Sequence, residues 1–184
     1  MGVPVVGRFI ESAGTRIKWQ TYFGGFNEHF EFHGSCINNW DDNVTYEGNY
    51  LNNHWHGYGK MYDKVNNITM FEGQFEESKQ ISGTKYIQGE GIYEGEYKDN
   101  CRHGMGKLTY FDGSSWQGVW NNAQKTGEGT YTYADGRYVV GRWKGEIRVG
   151  MHVEYDNDGV EVEREQYEEA KSEGEQEEDE DMTE

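Results

Sequence analysis

The aromatic-x-Gly unit Tyr93-Glu94-Gly95-Glu96-Tyr97 returns 23 residues later as Trp116-Gln117-Gly118-Val119-Trp120, and no other feature of the chain limits its fold so strongly. A period of 20–50 residues marks a stack of similar supersecondary units, none of which buries its apolar face alone. Aligned on this element, units start at Tyr46, Phe71, Tyr93 and Trp116, then at Val139, where valine replaces the ring; the spacings are 25, 22, 23 and 23. One more step back reaches Phe23 in "FGGFN", with His33-Gly34 at the offset taken by His56-Gly57 and His103-Gly104. Six units are therefore expected, near residues 23, 46, 71, 93, 116 and 139, the first degenerate.

Each unit reads as two short strands. Alternation puts Tyr93, Gly95 and Tyr97 on one face and Glu94 and Glu96 on the other. Glycine between two rings weakens a strand but leaves a gap into which a ring packs. "KDNCRHG" has the polar, Asn- and Gly-containing make-up of a hairpin connection, "GMGKLTY" alternates again, and Asp112-Gly113 supplies the next turn. A single hairpin is unstable in water. Six side by side make a ribbon of roughly 55–60 Å at the usual strand spacing. The expected fold is all-β: an elongated single-sheet meander or solenoid of about six hairpins over residues 23–159. Residues 1–22 form an N-terminal cap, and residues 160–184 a short helix and acidic tail. The helix is placed on "EVEREQYEEAKSE", where Val162, Tyr167 and Ala170 give a thin apolar face.

Composition taken alone suggests something else. Leu, Ile, Val and Phe make up only 30 of 184 residues and the formal charge is -17, a pairing typical of disordered chains. The apolar surface is instead carried by 14 Tyr, 6 Trp and 8 Phe among 26 Gly, and each buried ring removes roughly 150–250 Å² from water. The acidic balance argues against nucleic-acid binding, which needs a basic face. The N-terminus has neither the basic region of a secretory signal nor an apolar run long enough to span a membrane. Two cysteines make no disulfide framework, so a cytoplasmic, reducing setting is expected. Residues 161–184 hold 13 acidic and 2 basic side chains and read as a solvated tail, with a basic protein surface as the other reading.

The segment "YEGEYKDNCRHGMGKLTYFDGSSWQGVW" resembles the MORN repeat (membrane occupation and recognition nexus), with its Y-x-G-x-Y/W, G-x-G and D-G elements. The resemblance covers about residues 23–159. Its departures are the unit at Phe71, where Gly83 has no second spaced glycine, and the unit at Val139, where His152 stands at a glycine position.

No chemistry is expected. His54, His56, Cys101 and His103 lack a fourth convergent ligand for zinc, and His33, His56 and His103 share one repeat offset, as turn residues stacking along a solenoid would. Glu94 and Glu96 recur as Glu47, Glu72 and Gln117 at the first of those offsets, so they belong to the repeat and are not an acid/base pair. No nucleophile motif appears and no glycine-rich stretch opens a helix. The chain reads as a non-enzyme with no cofactor and no metal.

The remaining reading is a scaffold presenting a groove of rings and glycines to a helix or extended segment of a partner protein. Its candidate residues are Tyr93, Tyr97, Tyr110, Trp116, Trp120, Tyr131, Tyr133 and Trp143, undivided between groove and core. The resemblance implies a cytoskeletal or ciliary adaptor, as in axonemal assemblies. It also leaves open a phospholipid-binding surface, ranked lower because basic residues are scattered, and a regulatory subunit of an enzyme complex. Dimerisation through an end or the groove stays open.

Overall fold

The computed structural model describes residues 5–9, 18–40 and 43–168. They form one antiparallel sheet of fourteen strands in sequence order. The strands are β1 Val5–Phe9, β2 Lys18–Phe26, β3 Phe32–Trp40, β4 Val44–Leu51, β5 His54–Asp63, β6 Ile68–Glu76 and β7 Lys79–Ile87. They continue as β8 Gly91–Lys98, β9 Cys101–Tyr110, β10 Ser115–Asn121, β11 Gln124–Thr132, β12 Tyr138–Lys144, β13 Ile147–Tyr155 and β14 Glu161–Tyr167. The all-β meander of hairpins is as the repeat requires.

Glycine organises the sheet more than the repeat pattern alone implies. The cross-strand register joins Gly24, Cys36, Gly48, Gly59, Gly73, Gly83, Gly95, Gly106, Gly118, Gly129, Gly141 and His152 into one continuous ladder across twelve strands. The first ring of each unit, two residues before its glycine, lies flat across this ladder. A Cβ on Gly118 would come within 2.7 Å of the Trp116 ring, and one on Gly95 within 2.5 Å of the Tyr93 hydroxyl. Lying flat carries each tyrosine hydroxyl to the carbonyl three residues ahead: Tyr22 Oη donates to Gly25 O at 2.9 Å, Tyr46 Oη to Asn49 O at 3.0 Å and Tyr93 Oη to Glu96 O at 3.1 Å. The first unit therefore starts on Tyr22, buried, and not on Phe23, which is exposed.

The last unit keeps this arrangement with different residues. Val139 has no ring, but His152, occupying the glycine position on the next strand, covers Gly141 with its imidazole. His152 Nε2 lies 2.8 Å from Arg142 O, the carbonyl three residues after Val139. A carbonyl only accepts, so Nε2 carries the proton. One histidine replaces both the bulk and the hydrogen bond of the missing tyrosine.

The His-Gly pairs are not at turns. Gly34, Gly57, Gly104, Gly127 and Gly150 have φ between 62° and 76° inside strands β3, β5, β9, β11 and β13. There the hairpin register skips, as between Gly118/Val119 on β10 opposite Gly129/Thr126 on β11, so these are glycine bulges. In β7 the skip leaves out Ile81 alone, with no such glycine. The turns fall earlier, at the two-residue loops Asn52-Asn53, Glu77-Ser78, Asp99-Asn100 and Asn122-Ala123, all with positive φ as twisted hairpins demand. Ala123 at φ 64° is the least suited of these residues. Ala123→Gly is expected to raise stability by about 0.5–1 kcal/mol, read as a higher denaturant midpoint at unchanged slope.

The C-terminal expectation changes as well. Glu161–Tyr167, assigned to a helix from sequence, is strand β14 paired with β13. A short helix with a thin apolar face is marginal on its own. Strand pairing instead satisfies the backbone of β13 and brings the Tyr167 ring to 5.1 Å from His152. Beyond residue 168 the expected helix and the acidic tail lie outside the described residues, as does much of the expected N-terminal cap, of which Val5–Phe9 is strand β1.

Burial sets the response to alkali. Desolvation pushes the Tyr22 and Tyr93 hydroxyls from the usual 10 up to about 12, and the Cys36 thiol from 9 up to about 12. The unfolded chain ionises first, so stability present below about pH 9 is lost as pH rises toward 12. Denaturant midpoints measured from pH 8 to 12 should stay level to about pH 9 and then fall, with tyrosinate absorbance rising together with unfolding.

Candidate partner-binding surface

The eight ring residues expected to form a groove share one face of the sheet, here the inner face. Tyr93, Tyr97, Trp116, Trp120 and Trp143 are buried there, and Tyr110, Tyr131 and Tyr133 are half-buried. The buried five pack edge to face, as in Trp116–Trp120 at 4.9 Å, Tyr93–Trp120 at 5.4 Å and Tyr93–Tyr97 at 5.2 Å. Among the described residues the sheet is a single layer, and the rings themselves serve as its core.

Cations seal that face. Arg102, Lys125 and Arg148, one repeat apart, each follow a second ring by five residues. Arg102 lies 4.4 Å over Trp120, Lys125 5.6 Å over Trp143, and Arg148 5.6 Å over Trp143. Arg102 pairs with Glu90 at 2.7 Å and Lys125, almost wholly buried, with Glu146 at 2.6 Å. Arg148 donates to the hydroxyls of Tyr133 and Tyr167. Burial disfavours the charged Lys125, but its bonds to Glu146 and Tyr110 outweigh this and its pKa lies above the usual lysine range. This +5 basic position was legible in the sequence.

Two open cavities lie on the other, outer face. One of about 530 Å³ is lined by Phe23, Ile37, Glu47, Tyr58, Lys60 and Glu72 among others. A second of about 710 Å³ shares Tyr58 and Glu72 and continues to Thr84, Tyr86 and Ile92. The register links Phe23, Ile37, Glu47, Lys60, Glu72, Thr84 and Glu94 into one row across β2 to β8. Phe23, Ile37, Tyr58 and Ile92 are all more than 40% exposed, so the groove offers apolar surface that the fold itself leaves uncovered.

Its polar groups form a charged cluster. The Tyr58 hydroxyl donates to Glu72, and Lys60 Nζ sits 3.5 Å from the same carboxylate. Tyr58 first, and Lys60 after it, hold Glu72 below the ordinary carboxylate range, so it stays ionised. Among the described residues no group of three or more His, Cys, Asp and Glu is placed to hold a metal.

Comparison with known proteins matches this architecture. The MORN repeat family model matches residues 46–67, 93–115 and 116–136, the stretches opening on Tyr46, Tyr93 and Trp116. The chain carries MORN repeats. Alsin of Rattus norvegicus and Alsin of Mus musculus are each 31% identical to it over 115 residues, 58% of this chain. The match spans 7% of the length of those relatives. As a MORN-repeat protein the chain is a repeat scaffold-like module. The segments outside the family match are those where its ladder departs most: Cys36, the β7 bulge without its glycine, and His152.

Proposed function

We propose that this MORN-repeat chain is a non-catalytic adaptor whose outer-face groove holds a segment of a partner protein within a cytoskeletal or ciliary assembly. The observation that carries the reading is the continuous groove with Phe23, Ile37, Tyr58 and Ile92 exposed in it, on a sheet whose rings are already used as core. Apolar surface of this kind marks a site of association. The assembly comes from the family resemblance. Affinity capture from source tissue, with the wild-type chain and with Ile37→Glu/Tyr58→Ser, tests both parts. Cytoskeletal or ciliary proteins should be recovered by the wild type and lost with the variant. Equal recovery by both would remove the groove from the reading; recovery of other proteins alone would remove the assembly.

A further inference from the structure

Resting on that reading, we propose that the groove's partner segment is an amphipathic helix with a basic polar side, lying across the strands from β2 to β8. The groove runs over the middle of the sheet, where strand backbones are paired on both sides. Strand addition therefore has no free edge there, and an extended segment crossing the strands would leave its own N–H and C=O groups facing apolar side chains. A helix brings its backbone hydrogen bonds with it.

The dimensions agree. Seven strands span six spacings, about 29 Å, which a helix of about 19 residues covers. Strands repeat every ~4.8 Å and helical turns every ~5.4 Å, so an i, i+3, i+4 apolar stripe over the row meets Phe23 and Ile37 at one end, while Tyr58 and Ile92, two residues off the row on opposite sides, flank the helix along its length.

Charge sets the sign of the polar side. The Glu47 and Glu94 carboxylates make no hydrogen bond or ion pair with a described residue, and Glu72 is held ionised. Lys60, the cation in the groove lining, is engaged with Glu72. A helix with Lys or Arg beside its apolar stripe meets Glu47, Glu72 and Glu94 in turn, whereas an acidic helix meets repulsion along the same row.

The test uses the full chain and three labelled 19-residue peptides: one with Leu in an i, i+3, i+4 stripe and Lys elsewhere, one with Glu for Lys, and one with the Leu/Lys order scrambled. Fluorescence anisotropy should show the Leu/Lys helix binding at least tenfold more tightly than the scrambled peptide, and the Glu peptide not binding. Ile37→Lys and Tyr58→Ser, both at exposed positions, should each weaken binding tenfold or more with thermal unfolding unchanged. Glu47→Lys/Glu72→Lys should transfer the preference to the Glu peptide. Glu177→Gln/Glu178→Gln/Glu180→Gln in the tail should leave the affinity within twofold. Equal binding of the scrambled peptide, or loss with the tail variant and not with Ile37→Lys, overturns the proposal. Binding of the Glu peptide that Ile37→Lys abolishes overturns the partner's charge while the groove reading stands. Peptide binding insensitive to Ile37→Lys, together with equal tissue capture by the wild type and by Ile37→Glu/Tyr58→Ser, overturns both.

Discussion

Gly106→Val lowers the unfolding free energy by about 3 kcal/mol, and Met105→Ala, one residue away, changes it by less than about 0.5 kcal/mol. The contrast comes from the ladder. A Cβ on Gly106 would intrude on the Tyr93 ring, which is fully buried across Gly95 and Gly106. The ring cannot rise without breaking its bond to Glu96 O and its edge contact with Trp120. Met105 points to the outer face and is more than half exposed. Valine is otherwise a better strand former than glycine, so propensity alone anticipates the opposite sign. For a chain of this size 3 kcal/mol corresponds to a midpoint about 6–12 °C lower, easily read by circular dichroism during heating. A midpoint at or above that of wild type would show that the ring does not need a bare glycine beneath it.

The second large effect is that of Trp116→Ala, about 3–5 kcal/mol, in line with removing a buried aromatic ring. Trp116 is fully buried and packs on Trp120 and Trp143 while covering Gly118 and Gly129. The same geometry predicts strong coupling. Gly129→Ala should cost about 2 kcal/mol in the wild type, because the added methyl meets the Trp116 ring. In the Trp116→Ala background it should cost less than about 0.5 kcal/mol, since the nearest neighbour then left is Gln117 O at 3.1 Å. A double-mutant cycle by urea unfolding measures this coupling directly. Additive losses would mean that ring and glycine do not share one space.

These two experiments bear on what the sequence could and could not reveal. Tyr93-Glu94-Gly95-Glu96-Tyr97 displays its alternation openly, so the strands, the meander and the shared face of rings and glycines follow from period-two geometry. The cross-strand partner of each glycine does not, because it depends on bulges that shift the register inside a hairpin. Gly57 and Gly104 look like turn residues for the same reason: positive φ is needed in a bulge as much as in a turn. His152 was visible only as a departure, since its role needs Val139 and Arg142 O beside it. The sequence points to a groove among the rings because Tyr and Trp are the usual means of binding. Here they are consumed as core, and Phe23, Ile37 and Tyr58 were concealed at positions the repeat leaves variable. Glu161–Tyr167 reads as helix by composition, and an available sheet edge decides otherwise.

Every strand in this sheet bonds only to its neighbours in sequence. Duplicating or deleting one unit of about 23 residues would therefore lengthen or shorten the sheet by about 9.6 Å while leaving the remaining contacts as they are. The number of hairpins thus acts as a ruler: it fixes the distance between whatever is held at the two ends, and gene duplication can adjust that distance one notch at a time.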